Sequence, residues 1–131
     1  MKTNLDKYFK ADEDLEKNGV WFNISTETGF LLRPFKATNP SVKAAMAKLY
    51  KPYSRQIEMG TLEDAKVLEI NVKIFIQACL VDWKGVEIDG KVADCNPAVA
   101  LEFFTGLPDL FLTLWNHTQD FKNFREDVGN F

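Results

Sequence analysis

Histidine occurs once in this chain of 131 residues and cysteine twice, and no Cys-x-x-Cys or His-Glu-x-x-His spacing is present. A structural or catalytic transition-metal site therefore lacks its usual ligands. Cys79 and Cys95 are too few for a disulfide framework. Cys79 lies in an apolar helical run and is expected in the core, while Cys95 sits beside a helix start with no matched base at a recognisable spacing. His117, in the stretch TLWNHTQD, has no cysteine at a known spacing from it, so no nucleophile-histidine relay is legible. The seven glycines are all isolated, which excludes a glycine-rich phosphate loop. We expect no cofactor and no enzymatic activity.

Clustered positive charge is also missing. Nineteen Asp and Glu against sixteen Lys and Arg give a net charge of −3 and a pI near 5.2. Nucleic-acid affinity rests largely on grouped basic residues releasing counterions, so no nucleic-acid partner is expected. No apolar run approaches the roughly 18 residues of a membrane span. The opening MKTNLDKYFKADEDLEKN is too charged for a signal peptide, so a cytosolic protein away from the membrane is expected.

The stretch DWKGVEIDGKVADCNP, from Asp82 to Pro97, gathers four acidic side chains around a glycine. An EF-hand loop would need ligands at its first and twelfth positions, and placing Gly90 sixth puts Gly85 and Asn96 there. A calcium loop is excluded. Asp89-Gly90 instead favours the positive φ angles of a type I′ turn, which predicts a small hairpin of Val86–Ile88 with Lys91–Ala93.

With 46% hydrophobic residues, the chain can bury roughly two-thirds of its unfolded surface around one core. Asn4 to Lys17 reads as a short polar helix with a narrow apolar stripe. Val20–Ser25 alternates with period two, and with Phe30–Phe35 across Thr26–Gly29 it is predicted to form a β-hairpin, Pro34 lying near an edge or end. Asn39-Pro40 supplies a cap and a first-turn proline for a helix that Pro52 should break near Tyr50 and Lys51. Thr61 to Asp64 resembles a capping box opening a long helix to about Trp83, stopped at Gly85 and apolar on nearly all faces of its second half. Asn96-Pro97 caps a short helix ending at Gly106, and Pro108 opens the last one. The predicted class is α+β: one mostly helical domain over residues 1–131 with an N-terminal β-hairpin, a small second hairpin and a flexible tail at 122–131.

Aromatic residues are what the chain has in plenty. Phenylalanine occurs 11 times, and the final quarter holds Phe103, Phe104, Phe111, Trp115, Phe121, Phe124 and Phe131. Helical spacing assigns Phe104, Phe111 and Trp115 to the core. Phe121, Phe124 and Phe131 lie among Lys122, Arg125, Glu126 and Asp127, which suggests a surface that meets another apolar chain. From this aromatic pattern the candidate partner-binding residues are Phe103, Leu107, Leu110, Phe111, Leu114, Phe121 and Phe124.

The order of elements carries a family resemblance: RPF followed by NP in FLLRPFKATNPSVKAAM, then DWKGV, NPAVALEFF and LPDLF. Over nearly its whole length the chain resembles the tail assembly chaperones of long-tailed, siphovirus-like bacteriophages. The resemblance implies a non-enzymatic protein of the host cytoplasm, absent from the mature virion. It would coat the phage tape measure protein and keep it soluble until the tail tube polymerises. It also implies a homo-oligomer and an indirect link to the tail tube protein through a frameshifted longer form. The other open class is a small acidic phage or bacterial regulator that binds one folded host protein.

Overall fold

The computed structural model describes residues 5–125, and the tail positions Glu126 to Phe131 lie outside them. Two short helices come first, α1 (Leu5–Phe9) and α2 (Glu13–Asn18), in place of the single helix expected over Asn4 to Lys17. The second has its own cap: the Asp12 carboxylate accepts from the amides of Asp14 and Leu15 at 3.1 and 3.0 Å. A new N-cap inside the run competes with helix continuation, because its side chain satisfies the first-turn donors locally.

Strands β1 (Val20–Asn23) and β2 (Gly29–Leu32) form the expected antiparallel hairpin, with Val20 opposite Leu32 and Phe22 opposite Phe30. Phe30 and Leu32 face the core. Helix α3 (Pro40–Ala45) starts as predicted, the Asn39 side chain accepting from the Ser41 amide at 2.9 Å. It continues through a π-helical turn (Met46–Tyr50) and a 3-10 turn (Lys51–Tyr53) into α4 (Ser54–Glu58).

The long helix is where sequence and structure part. Helix α5 spans Asp64–Ala78 only, and Leu80–Lys84 form strand β3, which pairs antiparallel with β2 to give a three-stranded sheet in the order β1-β2-β3. The apolar run through Val81 continues a helical pattern, but pairing with β2 provides ladder partners for Leu80, Asp82, Trp83 and Lys84 and seats Trp83 against the Phe30 ring. Tertiary pairing overrides local propensity here. The capping box is not formed either. Thr61 donates its hydroxyl to the Gln56 carbonyl, and Glu63 precedes α5 with no side-chain cap. Gly85 serves as a turn after β3: its φ is 67°, and a Cβ there would collide with the Glu27 carbonyl.

The second hairpin is as expected. Strands β4 (Glu87–Ile88) and β5 (Lys91–Val92) meet at Asp89 and Gly90, whose φ angles are 54° and 78°. The chain just after it is tied to β3 by the Trp83 indole, which donates to the Ala93 carbonyl at 2.8 Å. Helices α6 (Pro97–Gly106) and α7 (Pro108–Gln119) follow, bent by 111° at Leu107, with Asn96 capping the first through the Val99 amide. A 3-10 turn (Phe121–Phe124) comes next. Helix α5 is central although shorter than expected. Its Ile70, Val72, Ile74, Phe75 and Ala78 are buried, and the Phe75 ring meets those of Phe104 and Phe111 edge-on at 5.4 and 5.5 Å.

Candidate functional site

Pro52 governs the middle of the chain. It has no amide proton to donate back one turn, and its ring crowds the carbonyl of Lys48, so a regular α-helix cannot pass through this point. The ladder slips instead: the Lys51 amide donates to the Met46 carbonyl, closing a π turn, and the Ser54 amide then closes a 3-10 turn on Lys51. Single π turns of this sort widen a helix and recur at functional sites.

Two apolar grooves take a wall from this turn, each with a volume of about 420 Å³. One lies towards α5 and α6 and is lined by Leu49, Ile76, Gln77, Pro97 and Leu101, with Lys73 at its side. The other lies towards the segment after β2 and is lined by Phe35, Val42, Met46, Ala47 and Tyr50, with Lys43 and Lys51 at its rim. Val42 is buried at the floor of the second groove, and Phe35, Met46 and Tyr50 are half-buried.

Charge distinguishes the two. Lys73 is ion-paired with Glu69 at 3.1 Å, and Lys66 reaches the same carboxylate at 3.2 Å. Hydrogen bonds from Lys73 and Lys66 hold the Glu69 carboxyl below its ordinary range, and the Glu69 bond raises Lys66. Lys43, Lys48, Lys51 and Arg55 have no carboxylate within ion-pair distance among the described residues.

The thiols and the histidine are inward-facing. Cys79 is buried, and desolvation pushes its thiol up to about 12; burial also pushes Cys95, with Asp82 nearby, to about 11. His117 packs its ring 4.1 Å from that of Phe22, and desolvation lowers its pKa against the opposing pull of Asp120. Among the described residues no three His, Cys, Asp or Glu side chains group as metal ligands. No single described helix is long and apolar enough to cross a membrane; α6 and α7 reach that length and composition only together, across their bend.

The residues expected to bind a partner do not form one surface. Phe111 and Leu114 are buried on the inner side of α7, and Phe124 is buried too, contrary to the expectation of a surface position. The 3-10 turn explains Phe124: it folds the chain back so that this ring lies 5.9 Å from that of His117, and the Asn123 side chain donates to the His117 carbonyl at 3.1 Å. Phe103 is half-buried against Trp83, their centroids 5.4 Å apart, and Leu110 is half-buried. Only Leu107, at 47% exposure, and Phe121, at 38%, face outward, and the Lys36 ammonium sits 4.9 Å from the Phe121 ring. Phe131 lies outside the described residues.

Sequence reasoning missed the grooves because Val42, Met46, Leu49 and Tyr53 keep helical spacing and read as an interior stripe. The available signal was Pro52 among four basic residues in an acidic chain. Residues 37–129 match the family model described as YdaY prophage protein. That span holds α3 to α7, β3 and nearly all of both groove linings. No curated protein and no solved structure matches.

Proposed function

The chain belongs to the YdaY prophage protein family, and on that premise we propose that it is a non-enzymatic phage tail assembly chaperone, coating the tape measure protein in the host cytoplasm until tail-tube subunits polymerise. The observation that carries this reading is the pair of apolar grooves sharing the π turn at Met46–Tyr50 on a chain of net charge −3. A long helical protein without its tube exposes apolar stripes, and grooves of this kind accept the apolar side of a helix. An acidic coat keeps such a complex soluble by mutual repulsion. Groove contacts of modest strength, repeated by many copies along one target, hold it while leaving each copy displaceable by the incoming tube.

The sequence pattern supports the same reading, since RPF–NP and DWKGV–NPAVALEFF–LPDLF resemble tail assembly chaperones. In this view the protein works as a homo-oligomer, and the tail tube protein is reached through a longer, frameshifted product. Co-expression with the tape measure protein of the same prophage is the test. The chaperone role requires the tape measure protein to move from the insoluble to the soluble fraction and to co-purify with several copies of this chain. A one-to-one complex with a folded host protein, and no effect on tape measure solubility, would replace it with the regulator reading.

A further inference from the structure

The twenty residues from Pro40 to Met59 hold four basic side chains, Lys43, Lys48, Lys51 and Arg55, and one acidic, Glu58. The rest of the chain holds twelve basic and eighteen acidic residues, so the Pro40–Met59 segment is a basic island on an acidic protein. Lys43 and Lys51 are exposed at the rim of the Phe35–Tyr50 groove, and neither has an ion-pair partner among the described residues. At the Ile76–Leu101 groove the corresponding lysine, Lys73, is already matched by Glu69. An apolar floor with two unmatched ammonium groups above it is complementary to one kind of occupant.

We propose that the Phe35, Val42, Met46 and Tyr50 groove binds an amphipathic helix whose apolar stripe is flanked by carboxylates. The helix lays apolar side chains from successive turns over Val42 and Met46 and places Asp or Glu opposite Lys43 and Lys51. This deepens the chaperone reading and rests on it for the identity of the partner, which would be acid-flanked segments of the tape measure protein. The groove chemistry itself does not depend on that identity. Discrimination arises because the same helix with lysine flanks would set like charges against the rim. Exposed rim charges are screened over about 8 Å at physiological salt, so the preference shrinks as salt rises.

Three fluorescent 18-residue peptides test it, sharing one leucine stripe and carrying Glu, Gln or Lys flanks. Their anisotropy is titrated with the full chain and with the Lys43→Glu/Lys51→Glu double variant. The wild-type protein should bind the Glu peptide at least about tenfold more tightly than the Lys peptide, and the double variant should reverse that order. Both lysines are exposed, so the variant should melt at the wild-type temperature, which circular dichroism checks. Tyr50→Ala should weaken all three peptides alike. Equal binding of the Glu and Lys peptides, or an order unchanged by the double variant, overturns the proposal. The two readings separate cleanly. If the peptides keep one order with both proteins while the tape measure protein co-purifies with each, the rim assignment fails and the chaperone reading stands. If the peptides swap order but the tape measure protein never co-purifies, the groove assignment stands and the chaperone reading fails.

Discussion

Replacing Phe75 with alanine should be among the most damaging single truncations in the molecule. The side chain is fully buried in the last turn of α5 and contacts the rings of Phe104, Phe111 and Trp115, with centroids 5.4, 5.5 and 6.4 Å away. Phe→Ala in a packed core costs about 3–5 kcal/mol, since the transfer loss is joined by a cavity that only partly collapses. Three ring neighbours belonging to α6 and α7 place Phe75 at the upper half of that range, because its loss loosens both helices from α5 together. An unfolding entropy of about 2.1 cal/mol/K per residue gives roughly 0.28 kcal/mol/K for a chain of this length, so 4 kcal/mol lowers Tm by about 15 °C. With a urea slope of about 1.5–2 kcal/mol/M the midpoint should fall by about 2–3 M. Phe75→Leu, which keeps most of the volume, should lose less than half as much. Thermal and urea melts followed by circular dichroism measure both variants. A Tm drop below about 4 °C for Phe75→Ala would refute the placement of this ring at the junction of the three helices.

Other outcomes follow from the same packing. Phe124→Ala should cost about 3 kcal/mol, and Phe121→Ala, half outside the fold under Lys36, about 1 kcal/mol or less; paired urea melts check the difference, and equal costs would contradict the burial of the 3-10 turn. Desolvation lowers the His117 pKa, so the folded protein prefers the neutral ring, and stability is whole above the ordinary histidine value of about 6.5 and declines as pH falls below it. The buried Nε2 without a hydrogen-bond partner, together with Asn123 donating towards Nδ1, leaves no acceptor for a second ring proton. His117→Phe should therefore lose less Tm than wild type between pH 7 and 5.5, and parallel declines would contradict the assignment. At pH 8, Cys95 with a pKa of about 11 holds roughly a hundredfold less thiolate than a thiol at 9.0, and Cys79 less still, so both should resist a thiol-reactive dye in the folded protein and react on unfolding; rapid native labelling of Cys95 would contradict its half-buried setting.

Local chemistry was legible wherever a few adjacent residues decide the outcome. Asn39-Pro40, Asn96-Pro97 and Pro108 start helices, Asp89-Gly90 turns the small hairpin, and Pro52 breaks the middle helix, because caps, fixed φ angles and missing donors act within one turn of chain. What depends on distant partners was not legible. Leu80–Lys84 becomes a strand only because β2 lies beside it, and Phe124 is buried only because the 3-10 turn returns it to His117. The grooves escaped for the same reason. Whether Met46 and Tyr50 end inside the core or at a groove wall depends on how far Phe35 and α5 stand from the π turn, which residue spacing does not encode.

Hydrogen–deuterium exchange on the complex co-purified with the tape measure protein would locate the contact directly. Binding through the π-turn grooves requires new protection within residues 42–54 and around residues 97–101, with the amides of residues 107–121 exchanging as they do in the free protein. Protection confined to residues 103–121, with no change between 42 and 54, would contradict it and return the partner to the C-terminal aromatic residues.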